Sequence, residues 1–332
     1  MSDTLNLLVT GGAGYIGSHA VSQLLEADHR VTVVDNLYSG HRWAVSDSAE
    51  FIEGDAGDPE LMDEVASRKK FDAVFHFAGH IEVAESVQKP LKYYGNNSCV
   101  SKNLIQVCLK HKINHFIFSS TAAVYGKPET FPVTEDLPGN PINPYGRSKL
   151  VTEWMLSDAA SVNSDFKYIA LRYFNVAGAR LDGTLGQATP NATHLIKVAS
   201  QAACGIRSGV DIYGTDYNTP DGTCIRDYIH VDDLAAAHLD ALLYLRSGGS
   251  SDAFNCGYGN GFSVREIIET VKKVSGADFQ VSEKGRRAGD PDQLYCDPSR
   301  IKKILNWKPR FDRIDLICET AFRWEKKLNQ MK

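Results

Sequence analysis

The phenol of Tyr145 and the ammonium of Lys149 are spaced for acid–base chemistry. They lie four residues apart in the segment YGRSK, which places both on one face of a helix. A phenol has a reference pKa of about 10. To act as a base at neutral pH its pKa must fall to about 7, which requires about 4 kcal/mol of stabilisation of the phenolate relative to the phenol. A neighbouring cation favours the phenolate and lowers its pKa. The spacing also fits a solvated surface pair, so the surrounding elements must decide.

A glycine-rich turn, TGGAGYIG at residues 10–17, follows the first predicted strand and opens the first predicted helix. Gly11, Gly14 and Gly17 allow a tight turn and bring the backbone close to a pyrophosphate, which the amides of a helix N-terminus can bind. Asp35 ends the second predicted strand, where a carboxylate accepts the ribose hydroxyls of NAD and repels the 2′-phosphate of NADP. A structural turn with a helix-capping aspartate is the alternative. The strand–turn–helix context favours NAD binding.

Three more segments follow predicted strands, at the sheet edge where ligands of parallel sheets bind. Asp55 follows the third strand, and its carboxylate can accept a hydrogen bond from an adenine amino group. The segment FAG at 77–79 follows the fourth strand, where small residues let a cofactor lie against the backbone. Thr121 follows the fifth strand, and its hydroxyl can bind a substrate oxygen beside Tyr145. In this setting a catalytic Tyr145–Lys149 pair is favoured over a solvated one.

The elements that position these residues alternate between apolar strands and amphipathic helices. Strands are predicted at 5–10, 30–35, 50–53, 73–77, 115–119 and 168–172, and helices at 17–27, 59–68, 97–110 and 145–160. The alternation predicts an α/β fold with a Rossmann-type, doubly wound parallel sheet. Loops lengthen after residue 177, so we predict an NAD-binding domain at 1–177 and a smaller C-terminal α/β substrate lobe at 178–332. In an alternative division, residues 225–258 return to the first domain.

The composition of the 332-residue chain, 43% apolar and 23% charged, is typical of a soluble globular protein. Its net charge of −5, with both signs mixed, gives no reason to expect a nucleic-acid or membrane partner. Seven irregularly spaced cysteines without a CxxC pair predict separate thiols and no metal site. No signal peptide or apolar membrane span is recognisable, so we expect a cytoplasmic location.

Five motifs resemble those of a known family: VTGGAGYIGSH, SSTAAVYG, YGRSK, YFNVAGA and GTCIRDYIHVDDLAAAH. In order and spacing they are similar to the UDP-glucose 4-epimerases of the extended short-chain dehydrogenase/reductase family. The resemblance implies that Tyr145 takes the proton of the sugar 4-hydroxyl while hydride passes from C4 to bound NAD, and that the 4-keto sugar turns before hydride returns. It also implies that Lys149 lowers the pKa of Tyr145 and holds the nicotinamide ribose, that Thr121 guides the proton path, and that the protein is a homodimer.

The motifs and the resemblance together assign residues to the two ligands. The residues assigned to NAD are Gly11, Gly14, Tyr15, Ile16, Gly17, Asp35, Asn36, Asp55, Ala56, Phe77, Ala78, Gly79, Asn96, Ser119, Lys149 and Phe174. Those assigned to the UDP-sugar are Thr121, Tyr145, Asn175, His194, Leu195, Tyr213, Arg226, Arg287, Asp290 and Leu294. Arg226 and Arg287 have a direct physical rationale, because guanidinium groups bind a pyrophosphate through paired donors.

The sequence departs from the family pattern at two positions. Ile81 stands where many relatives carry a lysine, so one cofactor contact is in question and the retention of NAD stays open. Leu294 stands at the position beside the 2-substituent of the sugar, often a tyrosine in enzymes restricted to unsubstituted hexoses. Leucine leaves more room, so activity on UDP-N-acetylhexosamines is predicted as well. The alternative is that Leu294 serves packing alone.

Other reactions on the same fold are less consistent with the sequence. A 4,6-dehydratase or decarboxylase carries acidic residues after the SST threonine, but Ala122 and Ala123 can do no acid–base work. Asp35 disfavours an NADP-dependent reductase, and a redox sensor without catalysis would be expected to have lost Tyr145 or Lys149. We therefore predict 4-epimerisation of UDP-glucose and UDP-galactose. UDP-xylose and UDP-arabinose are the alternative pair, and the sequence leaves the choice of sugar open.

Overall fold

The computed structural model describes residues 4–287 and 290–331. Its strands are β1 Asn6–Thr10, β2 Arg30–Asp35, β3 Glu50–Glu53, β4 Ala73–His76, β5 His115–Ser119, β6 Lys167–Tyr173, β7 Asn175–Ala177, β8 Gly209–Tyr213, β9 Ile225–His230, β10 Asp252–Cys256, β11 Gly261–Ser263, β12 Gln280–Lys284 and β13 Gln293–Leu294. Its α-helices are α1 Tyr15–Glu26, α2 Pro59–Arg68, α3 Val83–Gln88, α4 Pro90–Tyr93, α5 Val100–His111, α6 Pro144–Val162, α7 Leu195–Ala203, α8 Val231–Arg246, α9 Val264–Ser275, α10 Ser299–Ile304 and α11 Ile314–Gln330. A π-helical turn, Tyr94–Cys99, precedes α5.

In the described chain, the main sheet has seven parallel strands in the order β10, β6, β5, β4, β1, β2, β3. This order confirms the predicted parallel, doubly wound architecture, because the chain adds β2 and β3 on one side of β1 and then β4, β5 and β6 on the other. The six predicted strands are all present. The fourth ends at His76, one residue earlier than expected. The amides of Phe77 and Ala78 both donate to the carbonyl oxygen of Thr10, at 2.9 and 3.1 Å, so the regular ladder stops there.

The two faces of the sheet bury alternate residues of each strand. On β1, Leu7 and Val9 pack into the apolar cluster that contains α1 and α8, whereas Leu8 packs into the cluster that contains α2 and α5. All three side chains are fully buried. Burying a leucine or valine side chain contributes about 1.5–3 kcal/mol, so both helical layers are anchored by successive residues of one strand. This two-sided burial accounts for the continuously apolar strand sequences.

The part of the chain after residue 177 contributes one strand to the main sheet and forms the smaller sheets. Its strand β10 pairs with β6 in the main sheet, with Phe254 opposite Leu171. Its other strands form a small sheet, in which β9 pairs with β7, β11 and β13, and a separate pair, β8 with β12. Helices α7, α9 and α11 pack on one another beside these strands. The division between residues 177 and 178 stays a prediction.

Among the described helices, none combines the length and the apolar character that crossing a membrane requires. The longest, α6, carries a glutamate and a lysine on buried positions, which serve the site described next.

Candidate active site

A cavity of about 1210 Å³ opens at the carboxyl ends of the parallel strands. Every residue that the sequence assigned to NAD or to the UDP-sugar lies in its wall. Its wall is built from the segments that follow β1, β2, β3, β4, β5 and β6 and from residues of β8, β9 and β13. The structure thus brings together residues from 11 to 294 in the sequence, as expected for a ligand site at the edge of an open α/β sheet.

The glycine turn after β1 requires residues without side chains. Gly11 has φ of +75°, and a Cβ atom built on it would lie 2.5 Å from the amide nitrogen of Ala78. A Cβ atom on Gly17 would lie 2.2 Å from the carbonyl oxygen of Gly11. Gly14 caps α1 without any side-chain hydrogen bond, so the amides of the first turn lack a protein side-chain acceptor at this end. Such a helix N-terminus suits a phosphate.

Asp35 is held at the cavity wall by two backbone amides. Its Oδ2 accepts a hydrogen bond of 2.9 Å from Ala13 in the glycine turn, and its Oδ1 accepts one of 2.8 Å from Leu37. A carboxylate has about four lone-pair sites, so both oxygens keep acceptor capacity for the hydroxyls of a ribose. Asp55 lies nearby, where its Oδ1 accepts a hydrogen bond of 2.7 Å from the amide of Gly57. Together with the glycine turn, this donor and acceptor set fits NAD.

Helix α6 carries Tyr145 and Lys149 into the cavity wall. Asn143 caps the helix by accepting a hydrogen bond of 2.8 Å from the amide of Gly146, and Pro144 occupies the first turn. Such a cap stabilises a helix by about 1 kcal/mol and fixes where it begins. Tyr145 is 7% exposed and Lys149 is 3% exposed, so the pair is not a solvated surface pair.

Lys149 links the helix to the end of β5. Its Nζ donates a hydrogen bond of 2.9 Å to the carbonyl oxygen of Ser119 and lies 5.0 Å from the centre of the Phe118 ring. Burial lowers the pKa of Lys149 to about 8. A Cβ atom on Gly79 would lie 3.5 Å from this Nζ, so glycine at that position leaves the wall beside the amine open. The amine is thus fixed in place, and its pKa lies close to neutral pH.

Burial raises the pKa of Tyr145, and a hydrogen bond with the Thr121 side chain acts in the opposite direction. The Thr121 hydroxyl accepts a hydrogen bond of 3.1 Å from the amide of Ala123, which leaves its proton free to donate to the phenol oxygen. The spacing of Tyr145 and Lys149 predicts an attraction that lowers the pKa of the phenol, whereas burial acts in the opposite direction. In the structure desolvation is the largest effect on the pKa of both groups.

A second phenol, Tyr173, lies beside Tyr145 and was not singled out from the sequence. Its hydroxyl is hydrogen-bonded to the side chain of Ser119, and both residues line the cavity. Burial and the neighbouring Tyr145 raise its pKa. The signal available in the sequence was its place at the end of β6, where successive side chains alternate between the two sides.

Tyr213, Arg226, Arg287 and Asp290, which are assigned to the UDP-sugar, also line the cavity. Arg226 lies 3.8 Å from the carboxylate of Asp290, measured from Nη2 to Oδ1. The guanidinium group of Arg287 stacks over the ring of Tyr213, with 3.8 Å between its Cζ and the ring centre. Two guanidinium groups in the wall, one of them beside a carboxylate, can pair with a second, anionic ligand.

His194 caps α7 and lies half-buried in the same wall as a neutral group. Its Nδ1 lies 3.1 Å from Nε2 of Gln187. An amide nitrogen donates, so Nδ1 accepts and the ring proton is on Nε2 in this assignment of tautomer and amide orientation. Burial lowers the pKa of His194 and keeps the ring neutral. Leu195 begins α7 and Asn175 begins β7, opposite Tyr228 of β9.

Comparison with known proteins identifies the family. The NAD dependent epimerase/dehydratase family matches residues 7–257. A UDP-glucose 4-epimerase of Azospirillum brasilense is 54% identical over 98% of this chain and 93% of its own length. The crystal structure of a UDP-glucose 4-epimerase from Brucella ovis in complex with NAD is 44% identical, with a TM-score of 0.94 over 97% of this chain and 99% of that one. The structure of a UDP-Glc/GlcNAc 4-epimerase from Campylobacter jejuni is 53% identical, with a TM-score of 0.86 over 97% and 99%.

The chain belongs to the NAD dependent epimerase/dehydratase family. The resemblance to UDP-glucose 4-epimerases is thereby confirmed.

The two positions that depart from the pattern of this family both lie in the cavity wall. Ile81 follows β4 on a segment that runs into α3, and it is 43% exposed. Leu294 lies on β13 opposite Arg226 of β9 and packs against the cluster that contains Ala122 and Phe174. Leu294 therefore contributes both to the cavity wall and to packing. The effect of Leu294 on the choice of sugar stays a prediction.

Proposed function

We propose that this protein is an NAD-dependent UDP-glucose 4-epimerase, which interconverts UDP-glucose and UDP-galactose through a 4-keto intermediate. The observation that carries the proposal is the cavity wall in which Tyr145, Lys149 and Thr121 lie beside the glycine turn and Asp35. The 54% identical relative and the structure solved with NAD support it.

The residues of the chain divide the work between proton transfer and binding. The Tyr145 phenol takes the proton of the sugar 4-hydroxyl, and the Thr121 hydroxyl donates to the developing phenolate. Lys149, held by the Ser119 carbonyl, adds positive charge on the same helix face. When bound, NAD supplies the group that accepts hydrogen from C4 as hydride and gives it back.

Binding of the nucleotide sugar is proposed for the cavity residues Arg226, Arg287 and His194. Arg226 and Arg287 pair with the pyrophosphate, and the Nε2–H of His194 donates to the same ligand. A cavity of about 1210 Å³ exceeds the typical range of about 300–1,000 Å³ for a ligand site, which fits two ligands at once. The space also allows a keto sugar to turn while its nucleotide stays bound.

The dehydratase alternative finds no support beside Thr121. Ala122 and Ala123 form the next two positions of the cavity wall. Neither has a group that can transfer a proton, which a dehydratase needs for its further steps. A 4-epimerase needs one proton acceptor at C4, and Tyr145 supplies it.

The organisation of the molecule is proposed in the same way. We propose a homodimer in the cytoplasm, with residues 1–177 binding NAD and 178–332 binding the nucleotide sugar. Helix α6 bears Trp154, which is 58% exposed, and such an indole is typical of a protein–protein interface. Light scattering on the purified protein tests the dimer, because a monomer mass would contradict it.

The function is tested by incubating the purified protein with UDP-galactose, UDP-N-acetylgalactosamine and UDP-xylose, without added reductant. We expect conversion of UDP-galactose to UDP-glucose, measured by NMR of the anomeric protons. A Tyr145→Phe protein prepared in parallel excludes a contaminating epimerase. Absence of conversion with NAD added in excess would overturn the proposal, and conversion of UDP-xylose alone would favour the pentose pair.

A further inference from the structure

A buried ion pair joins strand β6 to helix α6, the two elements that carry Tyr173, Tyr145 and Lys149 in the cavity wall. Nη2 of Arg172 on β6 lies 2.6 Å from Oε2 of Glu153 on α6, and Nε of Arg172 lies 3.1 Å from both carboxylate oxygens. The two side chains are 11% and 6% exposed. This paired contact fixes the angle as well as the distance between the two groups.

The ion pair extends into a network that reaches four parts of the main domain. The hydroxyl of Ser120 donates to Oε1 of Glu153. Nη1 of Arg172 donates a hydrogen bond of 3.0 Å to the hydroxyl of Tyr125, which donates one of 2.7 Å to Oδ1 of Asn255 on β10. The network therefore joins α6, the loop after β5, and strands β6 and β10.

Three members of the network, Ser120, Arg172 and Glu153, lie close in the chain to residues of the cavity wall. Ser120 lies between Ser119 and Thr121, which both line the cavity. Arg172 precedes Tyr173, and in a strand successive side chains point to opposite sides. Glu153 follows Lys149 by four residues of the same helix, about one turn. A change in the ion pair thus shifts three catalytic segments relative to one another.

Stability alone does not require such a pair. Apolar residues of similar volume in place of both partners of a buried ion pair are often neutral or stabilising, whereas removing one partner leaves an unpaired charge. An apolar pair would fill the same space, but it would not reproduce the directional hydrogen bonds that join β6 to α6. The geometry of a reacting group tolerates little displacement, since a shift of about 1 Å can cost about 100-fold in rate.

We propose that Glu153 and Arg172 are positioning residues, whose ion pair sets the placement of Tyr145 and Lys149 relative to Thr121 and Tyr173. The proposal rests on the proposed function for its kinetic readout and has a binding readout that does not. Neither residue touches the substrate; both act through their neighbours in the cavity wall.

The experiment replaces the ion pair by apolar residues of similar volume. The variant Ser120→Ala/Glu153→Leu/Arg172→Met removes both charges and the hydroxyl that would otherwise lose its acceptor. The matched control, Asp252→Leu/Arg300→Met, removes an arginine–aspartate pair of 2.6 Å on β10 and α10 that does not line the cavity. Thermal unfolding, kcat and KM for UDP-galactose, and the pH profile of kcat/KM are measured for both.

For the triple variant we expect a retained unfolding temperature, an unchanged KM and a kcat reduced at least about tenfold. The acidic limb of kcat/KM moves to higher pH, because a displaced Thr121 and Lys149 stabilise the phenolate less and the pKa of Tyr145 rises. The control keeps the kcat and the pH profile of the parent. A folded triple variant with kcat within twofold of the parent and the same acidic limb overturns the proposal.

A second variant and a binding measurement cover two further outcomes, a triple variant that does not fold and a parent protein that is inactive. If the triple variant does not fold, Arg172→Lys is measured, which keeps the charge and loses the paired contact. A lower kcat and a shifted acidic limb then support the proposal, and parent values overturn it.

If the parent does not epimerise UDP-galactose, the proposed function fails, and fluorescence titration with NAD tests the role of the ion pair. A severalfold weaker dissociation constant in the folded triple variant supports positioning of Lys149, whereas an unchanged constant overturns it.

Discussion

The phenol of Tyr15 donates a hydrogen bond of 2.6 Å to the carbonyl oxygen of Gly178. Tyr15 is the first residue of α1, beside the glycine turn, and Gly178 is the first residue of the predicted substrate lobe. Gly178 has φ of +90°, and a Cβ atom on it would lie 2.7 Å from the ring of His230. The contact therefore ties the first turn of α1 to a backbone position that requires glycine.

The first prediction concerns this hydrogen bond. Tyr15→Phe keeps the ring and removes the donor, so we expect the free energy of unfolding to fall by about 1 kcal/mol. Urea denaturation with unchanged m-value measures the difference. Tyr94→Phe, which alters a half-buried tyrosine outside the cavity wall, is the control for loss of a phenol. Equal stability of Tyr15→Phe and the parent would show that the Gly178 carbonyl finds another donor.

The second prediction concerns the proton acceptor. Tyr145→Phe keeps the ring and removes the group that takes the proton, so turnover should fall by about 10²–10⁴-fold. NAD binding and thermal stability should stay close to those of the parent. Epimerisation of UDP-galactose and fluorescence titration with NAD measure the two effects separately. If the phenylalanine variant works within a few-fold of the parent, Tyr145 is not the base.

The site residues that could be predicted are those marked by local spacing in the sequence. The glycine turn, Asp35 and the Tyr145–Lys149 pair are recognisable because each depends on spacing within a strand–turn–helix unit. All of them lie in the wall of one cavity. The parallel sheet followed in the same way from the alternation of strands and helices.

Features that depend on long-range packing could not be predicted in this way. The Ser119–Tyr173 hydrogen bond and the Glu153–Arg172 pair join residues of different elements, and no spacing marks them. The raised pKa of Tyr145 depends on burial, which the structure alone provides. A return of residues 225–258 to the first domain was one of the predicted divisions, but the pairing of β10 with β6 needs tertiary contacts, since more than 70 residues separate the two strands.

The third prediction concerns cofactor choice. A 2′-phosphate beside Asp35 would place like charges together, which costs several kcal/mol, so NADP should bind at least about 100-fold more weakly than NAD. Titration of cofactor-free protein with both dinucleotides gives the ratio. In Asp35→Asn the carboxylate charge is lost and the ratio should fall. NADP binding as tight as that of NAD in the parent would contradict the assignment of Asp35.

The fourth prediction follows from the pKa of Lys149, which burial lowers to about 8 from an ordinary value of 10.5. Between these values the unfolded chain binds more protons at this residue than the folded chain does. The free energy of unfolding therefore rises with pH through this window, by up to about 3 kcal/mol from this group. Cofactor-free Lys149→Met should lack this rise. Urea denaturation of both proteins between pH 7.5 and about 10 measures the difference, and parallel curves would contradict the lowered pKa.

The last prediction concerns the sugar pocket. Leu294 lies opposite Arg226 in the cavity wall and packs beside Phe174, so its side chain limits the space on that side. Tyrosine at this position would add a ring and a hydroxyl, and forcing an N-acetyl group into the filled space would cost about 1–3 kcal/mol. We therefore expect the parent to epimerise UDP-N-acetylglucosamine as well as UDP-glucose.

Leu294→Tyr should lose the first activity and keep the second. Leu294→Met, which preserves volume, is the matched control and should leave both activities in place. The ratio of kcat/KM for the two substrates is the measured quantity, because it cancels changes in the amount of active protein. A single position rarely decides a pocket, and Leu294 also contributes to packing. A parent inactive on the N-acetylated sugar, or a ratio unchanged in Leu294→Tyr, would therefore assign Leu294 to packing alone.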